Sequence, residues 1–284
     1  MDEVYAVHDA SWMNLGLMDP SLTPAQKQKH LEAVFLDQQQ RLDSNGMTAY
    51  TEESVADFKR LAHSMYTSIT TTADDVHVLD VGCGWGHQAV LFHSLFPRLA
   101  YTGIQIGPRQ AEHGRKLVAQ IPNVEIMQGS ATDLSVFAPA SFSHVYALEC
   151  AFHFDTRHQF FKEAHRVLQP AGKIALMDQV PLHKESDILG ELTSAVGYMP
   201  VLLYILNTFM FNPSGKSKWQ EGDVAEYELS LNDAGFTNVK IEVISGNITF
   251  LDPYMVSLYA AKYPWWTPRD FILGYLFHLH RIQQ

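Results

Sequence analysis

Three glycines at alternate positions, preceded by an aspartate, form the stretch of this sequence best suited to chemistry. Asp80 is followed by Gly82, Gly84 and Gly86, with Cys83 between the first two glycines. Glycine has no Cβ, so it accepts the positive φ angles of a tight turn and lets the backbone approach a ligand. A strand that ends in such a turn and feeds a helix brings the backbone to the carboxyl edge of a sheet, where ligands bind. An ordinary strand-to-helix turn with incidental glycines is the alternative interpretation.

The spacing of these glycines distinguishes between two kinds of ligand. A dinucleotide-binding turn follows the pattern GxGxxG and requires a third glycine where His87 stands. That kind of turn holds a pyrophosphate at a helix N-terminus. The pattern here is GxGxG, and the acidic Asp80 favours a ligand with an ammonium group over one with a phosphate. An NAD-dependent oxidoreductase is therefore disfavoured and is kept as the other enzyme class.

A second polar pair, Glu149 and His153, follows a predicted strand over 142–148. Residues four apart share one face if the turn between them is helical. His153 is suited to removing a proton near neutral pH, and Glu149 would orient it, contact the cofactor or stabilise a cation. We predict both as catalytic residues. The alternative is a polar pair that only stabilises the start of a helix.

Alternating apolar strands and amphipathic helices would position these groups. Two N-terminal helices are predicted, one from Pro24 and one over 52–69, because apolar residues recur there at helical spacing. Strands and helices then alternate, which is typical of an α/β, Rossmann-like fold with a mostly parallel sheet covered by helices on both faces. The predicted strands are 76–81, 100–104, 124–127, 142–148 and 173–177; the predicted helices are 87–96, 109–120, 156–168 and 225–234; 239–243 is predicted as extended and 249–250 as a further short strand.

Residues 78–86 resemble the first motif of the class I methyltransferases that use S-adenosylmethionine (SAM). The likeness is closest to the small-molecule group of sterol, tocopherol and cyclopropane-synthase-like enzymes, and it extends from about residue 70 to 182. It implies the Rossmann-like class I fold and SAM as the methyl donor. The cofactor-binding residues implied at the turn are Asp80, Gly82, Cys83, Gly84 and Gly86.

Further segments of the resemblance imply the rest of the cofactor pocket. Gln105 and Ile106 stand where the family closes its second strand over the ribose, and many members have an acidic residue in place of Gln105. Ser130 and Ala131 stand in the segment that lines adenine, where the family often has Asp instead of Ser130. Asp133 is the alternative adenine partner, and a loop or helix cap is its other interpretation.

The chain is expected to form a single methyltransferase domain. Its parts are an N-terminal helical cap over 1–69, a SAM-binding core over 70–182, an inserted acceptor lid over 183–222, and the remaining core with a final helix over 223–284. In the enzymes that the chain resembles, the N-terminal region folds over SAM and the acceptor. Tyr50 is accordingly expected to reach the methionine end of the cofactor.

The inserted segment indicates the kind of acceptor. It has no charged residue from 192 to 215 and is rich in aromatic and Met side chains, which suits a lid over an apolar or aromatic small molecule. A buried helix or contact with a membrane surface are the alternatives. The stretch is long enough to cross a bilayer, but Gly197, Pro200 and Pro213 interrupt it, so a transmembrane span is disfavoured.

Composition excludes several other classes of protein. The formal net charge of -11 disfavours a nucleic acid partner. Two distant cysteines disfavour a disulfide framework and a structural zinc site, and the fourteen histidines are scattered, so no metal is expected. The acidic N-terminus does not resemble a secretory signal, which predicts a cytoplasmic protein. Oligomeric state stays open.

The sequence therefore predicts a SAM-dependent methyltransferase of a small, mainly apolar or aromatic metabolite, in secondary metabolism. Oxygen methylation is favoured because His153 offers a base. Carbon methylation of a terpenoid or polyketide, with Glu149 as cation stabiliser or proton acceptor, is the alternative, and nitrogen methylation comes third. Outside catalysis, the fold would serve as a SAM-binding module without turnover.

Overall fold

The computed structural model describes residues 16–19, 21–27, 29–30, 52–70, 76–178, 224–242 and 248–249. By its contacts the chain divides into two compact units. The first comprises residues 1–11 and 63–241, and the second comprises residues 12–62 and 242–284. The predicted domain boundaries at 69, 182 and 222 stay predictions.

The described elements agree with the predicted alternation of strands and helices. The strands are β1 (Gly16–Leu17), β2 (His77–Val81), β3 (Ala100–Gln105), β4 (Val124–Gln128), β5 (Phe142–Leu148), β6 (Leu168–Met177) and β7 (Ile248–Thr249). The helices are α1 (Glu52–Ile69), α2 (His87–Leu95), α3 (Pro108–Val118), α4 (Arg157–Val167) and α5 (Val224–Asp233), with a single 3₁₀ turn at Ala151–His153.

Five parallel strands form the sheet of the first unit, in the order β4-β3-β2-β5-β6. The chain moves outward from β2 through β3 to β4 and then returns to place β5 on the other side of β2. The direction of winding therefore reverses between β2 and β5. In open α/β sheets ligands bind outside the carboxyl ends of the strands at this reversal, which here means just after Val81 and Leu148. The predicted fold class is confirmed.

Burial explains the apolar run at the centre of the sheet, in β2. Val78, Leu79 and Val81 of β2 are fully buried, and Asp80 between them is buried as well. A parallel sheet covered on both faces selects such uninterrupted runs rather than alternating ones. Thr156, at the start of α4, caps that helix by accepting from the backbone N–H of Gln159 at 3.2 Å.

Two sequence-based boundaries differ from the structure. The predicted strand at 173–177 begins already at Leu168, which pairs with Phe142 before a shift in register, while Ala171 adopts a φ of 62° within the strand. The extended segment predicted over 239–243 forms no strand in its described part, 239–242. The chain there follows a glycine-terminated helix end, in which Gly235 has a φ of 106°.

The described part of the second unit contains a short antiparallel pair and most of α1. β1 pairs with β7 in the register Gly16 to Thr249. The carboxylate of Asp57 is buried in α1, where it lies 2.7 Å from His30 Nε2 and 2.5 Å from Arg60 Nη1. None of the helices in the described ranges is long and apolar enough to cross a membrane.

Candidate active site at the carboxyl edge of the sheet

All three glycines of the turn have left-handed backbone. Gly82, Gly84 and Gly86 have φ angles of 80°, 58° and 92°, which side-chain-bearing residues rarely adopt. The backbone N–H groups of Gly82 and Cys83 both donate to the carbonyl of Ile104, at 2.8 and 3.3 Å. These hydrogen bonds attach the turn to the end of β3 and hold its shape.

The three glycines differ in what surrounds them. A Cβ on Gly82 would lie 2.7 Å from Cys150 Sγ, and a Cβ on Gly86 would lie 2.8 Å from the Cα of Gly114. A Cβ on Gly84 would meet nothing within 4 Å. Gly82 and Gly86 are therefore required by packing, whereas Gly84 leaves the backbone open on the side where a ligand can approach.

Asp80 lies beneath this turn with its two carboxylate oxygens in different environments. The residue is fully buried, and Oδ2 accepts hydrogen bonds from the hydroxyls of Tyr66 and Tyr101, each at 2.6 Å. Among the described residues no donor lies within hydrogen-bond distance of Oδ1. Burial raises the pKa of Asp80 from its ordinary value near 3.8 to about 6, although the hydrogen bonds from Tyr101 and Tyr66 oppose that shift.

These residues fit the amino acid part of SAM. Buried carboxylate oxygens are normally hydrogen-bonded, so the unpartnered Oδ1 is suited to a donor that the protein itself does not supply. An ammonium group offers both the donor and the positive charge that stabilises a buried carboxylate. Tyr66 and Tyr101 were not predicted from the sequence, because nothing in the local pattern around either residue marks it as a partner of Asp80.

Gln105 is the last residue of β3, and Ile106 follows it. The side-chain amide of Gln105 donates a close hydrogen bond to Gln110 Oε1 on α3. Ile106 is 60% exposed, so its apolar side chain is available for contact with a planar ligand ring such as adenine. The two residues thus lie at the sheet edge beside the turn, and the Gln105 side chain is hydrogen-bonded to the uncharged side chain of Gln110.

Ser130 and Ala131 follow the end of β4 in a tight turn. Ser130 Oγ lies 3.1 Å from Thr132 Oγ1 and accepts from the Thr132 backbone N–H at 3.3 Å, while Ala131 is buried. Asp133 accepts from the backbone N–H of Ser135 at 3.1 Å, and hydrogen bonds from the side chain and then the backbone of Ser135 lower the pKa of Asp133. Asp133 therefore acts as the cap of its own loop, in agreement with the second interpretation made from the sequence.

The helical turn that would place Glu149 and His153 on one face does not form in the structure. Glu149 follows β5 with a φ of 50°, and its backbone N–H donates to the carbonyl of Met177 at 2.7 Å. The only helical residues between the two are in the 3₁₀ turn Ala151–His153, so no continuous helical turn places them on one face. The strand end is kept on the sheet by its bond to β6, and the chain turns only afterwards. Both residues are half-buried and lie at the same sheet edge as the glycine turn.

Both cysteines pack against the turn. Cys83 is buried, and its Sγ would lie 2.7 Å from a Cβ placed on Gly103. The Cys150 thiol donates to the Val81 carbonyl at 3.0 Å. Burial and the nearby Asp80 carboxylate raise the pKa of both thiols, so both stay protonated at neutral pH. Cys83 thus packs between the turn and Gly103 of β3. Cys150 is a contact that sequence patterns did not indicate.

A buried ion pair stabilises the adjoining strand end. Arg157 Nε, at the start of α4, donates to Asp178 Oδ2 at 2.8 Å, and each side chain is only 4% exposed. The Arg157 guanidinium also lies 5.7 Å from the centre of the Tyr227 ring. This arrangement holds the end of β6 against the helix that follows the turn containing His153.

Other predicted features lie outside the described residues. These are Tyr50, the segment over 183–222 and the final helix. Within the described ranges, no group of three or more His, Cys, Asp or Glu side chains is arranged to hold a metal ion.

The reversal of winding beside a GxGxG turn, with a buried acid beneath it, is the arrangement of class I methyltransferases. Residues 79–176 match the family model described as a methyltransferase domain. This match and the fold support a class I SAM-dependent methyltransferase, as the resemblance of its motifs implies.

Curated relatives agree with this assignment. The chain is 32% identical over 123 residues to O-methyltransferase resE of Aspergillus sclerotiorum, covering 42% of this chain and 46% of that protein. It is 29% identical over 190 residues to erythromycin 3''-O-methyltransferase of Saccharopolyspora erythraea, covering 63% of this chain and 55% of that protein. The chain thus spans about half the length of these curated relatives.

The fold also matches that of geranyl diphosphate C-methyltransferase from Streptomyces coelicolor A3(2). The TM-score is 0.56 at 15% identity, with coverage of 87% of this chain and 80% of that one. At this level of identity the likeness concerns the fold alone.

Proposed function

We propose that this protein transfers the methyl group of SAM to a small, mainly apolar or aromatic metabolite, with oxygen as the favoured acceptor atom. The observation that carries the proposal is the unpartnered Oδ1 of Asp80, fully buried beneath a glycine turn that is open at Gly84. That combination supplies an acceptor for an ammonium group and bare backbone for a close ligand. It supplies no side chain for a phosphate.

The chain's own residues would divide the work of binding and catalysis. Asp80 would hold the ammonium group, and Gly82, Cys83, Gly84 and Gly86 would form the backbone surface beneath the cofactor. When bound, SAM supplies an electrophilic methyl group on a sulfonium, so in-line alignment of the acceptor is the main requirement.

Further contacts would hold the adenosine part. Gln105 would bond to the ribose hydroxyls with its neutral amide. Ile106 would cover one face of the adenine with its exposed side chain. Ser130 and the backbone of Ala131 would approach the edge of the base, and Tyr50 is proposed at the methionine end.

His153 is proposed as the base that removes the proton of an acceptor hydroxyl. It lies half-buried at the end of the 3₁₀ turn after β5, on the sheet edge that carries the glycine turn. Glu149 precedes it at the same edge and is proposed to orient it. The names of several relatives, which are O-methyltransferases, support oxygen as the acceptor atom.

Carbon methylation of a terpenoid or polyketide is the second candidate. The half-buried carboxylate of Glu149 at the end of β5 favours it, because a cation formed by alkene methylation would be stabilised by a nearby anion. Secondary metabolism and a cytoplasmic location belong to the proposal as well.

Calorimetric titration with SAM and with NAD tests the cofactor. Binding of SAM with little affinity for NAD supports the proposal, and the reverse result contradicts it. Mass spectrometry of a metabolite panel incubated with SAM then detects the mass gain of one methyl group, about 14 Da. Each hydroxylated acceptor is tested beside its deoxy analogue, which lacks the acceptor oxygen. If both members of a pair are methylated at carbon, the second candidate, carbon methylation, is supported and oxygen methylation is contradicted.

A further inference from the structure

We propose that Tyr66 and Tyr101 are positioning residues for the cofactor: their hydroxyls occupy one carboxylate oxygen of Asp80 and so reserve the other for the ammonium group of SAM. The inference rests on the proposed function, because it presupposes that SAM binds at the glycine turn. Neither tyrosine is expected to touch the reacting atoms.

The two hydroxyls reach Asp80 from different elements of the fold. Tyr66 lies near the end of α1, and Tyr101 lies on β3 beside the strand that carries Asp80. Both donate to Oδ2 at 2.6 Å, while Oδ1 accepts from no described residue. Two donors that converge on one oxygen restrict rotation of the carboxylate and keep its two oxygens chemically distinct.

Aromatic packing holds the two hydroxyls in place. The Tyr66 ring meets Phe92 edge-on at 5.3 Å and Tyr146 edge-on at 5.0 Å, and the Tyr101 ring lies 5.2 Å from Phe92. All four rings are 1% exposed or less. Since the rings have no room to move, the donors are oriented before a ligand arrives, which lowers the cost of binding.

The charges around Asp80 explain why these donors matter. The titratable groups of the described residues that interact with its carboxylate are Tyr66 on α1, Tyr101 on β3, Tyr146 on β5 and the thiols of Cys83 and Cys150. All of these are neutral when protonated, and burial raises the pKa of each. The groups that favour the ionised form of Asp80 are the two tyrosine hydroxyls, which oppose the effect of burial on its pKa.

Removal of one hydroxyl should therefore shift the titration of Asp80 upward. A hydrogen bond to a charged group corresponds to roughly a tenfold change in the protonation equilibrium, or about one pH unit. With the pKa of Asp80 at about 6 in the free protein, the dissociation constant for SAM should rise about twofold from pH 7.0 to pH 6.0. In a variant without one hydroxyl it should rise about fivefold over the same interval.

Calorimetry at pH 6.0 and 7.0 compares the wild type with Tyr66→Phe, Tyr101→Phe and Tyr146→Phe. Phenylalanine keeps the ring packing and removes only the hydroxyl. Tyr146→Phe is the matched control, because the Tyr146 hydroxyl belongs to the same buried cluster but bonds to Thr70 and to the Tyr66 carbonyl instead of Asp80. The second ligand is 5′-deoxy-5′-methylthioadenosine, which carries the adenosine and thioether of SAM without its amino acid.

The expected result is a steeper pH response for SAM in Tyr66→Phe and Tyr101→Phe, with Tyr146→Phe close to the wild type. The affinity for methylthioadenosine should depend little on pH in every variant, which separates the carboxylate effect from general loosening of the site. Equal pH responses in all four proteins that bind SAM would overturn the inference and leave the proposed function intact. Failure of the wild type to bind SAM at pH 7.0 would instead overturn the proposed function. The two tyrosine variants are independent, so either one that folds decides the question.

Discussion

The Cα atoms of Gly86 and Gly114 come together where the glycine turn passes under α3, so that a Cβ on Gly86 would lie 2.8 Å from the Gly114 Cα. The same Cβ would lie 2.9 Å from Cδ1 of Ile126 on β4. The third glycine of the motif is thus a packing residue that joins a turn, a helix and a strand. The middle glycine, Gly84, has no such neighbour.

We expect Gly86→Ala and Gly84→Ala to separate stability from cofactor binding. Gly86→Ala combines a strained φ of 92° with overlap against backbone, and should lower the free energy of unfolding by about 3 kcal/mol. Gly84→Ala should lower it by only about 1 kcal/mol, the cost of left-handed backbone for alanine. Because its methyl group would point into the open side of the turn, it should weaken SAM binding about tenfold.

Denaturant unfolding and calorimetry on both glycine variants measure these effects. A large loss of stability in Gly84→Ala would show that this glycine is buried by the protein rather than open to a ligand.

Replacement of Asp80 by Asn should stabilise the ligand-free protein while it weakens cofactor binding. The carboxyl has a pKa of about 6 when folded and near 3.8 when unfolded, so the folded state binds its proton more tightly. Stability is therefore lost as pH rises from about 4 to about 6, and the full penalty, roughly 3 kcal/mol at most, is present at pH 7. Asparagine avoids this penalty and still accepts from both tyrosines.

Unfolding of Asp80→Asn at pH 5 and pH 7.5 without SAM measures the first effect, which should be larger at pH 7.5. Calorimetry measures the second, an expected loss of at least tenfold in affinity for SAM. Lower stability than the wild type at pH 7.5 would contradict the assignment of a costly buried carboxylate.

An acidic residue at position 105 should strengthen ribose binding. Gln105 lies at the end of β3 with its amide bonded to Gln110. A carboxylate there accepts from both ribose hydroxyls, and charge-assisted hydrogen bonds are roughly twice as strong as neutral ones. We expect Gln105→Glu to bind SAM about three- to tenfold more tightly. The 2′,3′-dideoxyribose analogue serves as the control ligand, since it should gain nothing from the substitution.

His153→Ala should separate catalysis from cofactor binding. If His153 removes the acceptor proton, turnover should fall by about 10²-fold or more, because general base catalysis contributes on that scale. The affinity for SAM should change less than twofold. His158→Ala is the control, since His158 lies on α4 with its ring nitrogen 3.1 Å from Ser230 Oγ. Unchanged turnover in His153→Ala would remove this residue from the mechanism.

Arg157→Met should destabilise the protein because it leaves a buried negative charge without its positive partner. It leaves Asp178, itself 4% exposed, without the guanidinium that lies 2.8 Å away. Loss of one member of a buried pair costs about 3–5 kcal/mol. The control is Lys116→Met, which breaks the exposed pair with Glu112 and should change the free energy of unfolding far less, because solvent screens that pair. Similar losses in both variants, measured by denaturant unfolding, would mean that burial adds nothing to the Arg157 pair.

Local chemistry determined the larger part of the fold. The spacing of Gly82, Gly84 and Gly86 after an apolar strand predicted both the turn and the kind of ligand, because positive φ angles and close backbone approach are properties of glycine itself. The periodicity of apolar residues placed α1 at 52–69 without error and most other element ends within a few residues. These signals depend on neighbours in the chain, so a sequence contains them directly.

Tertiary structure alone decided how the candidate site is assembled. Tyr66 and Tyr101 are 14 and 21 residues from Asp80 in sequence, and they meet it because the last turns of α1 bring Tyr66 to Asp80 and β3 lies beside β2. Glu149 has left-handed backbone and its N–H stays bonded to β6, so the chain between Glu149 and His153 is not a continuous helical turn. Strand order and register set such contacts, and a one-dimensional pattern contains neither.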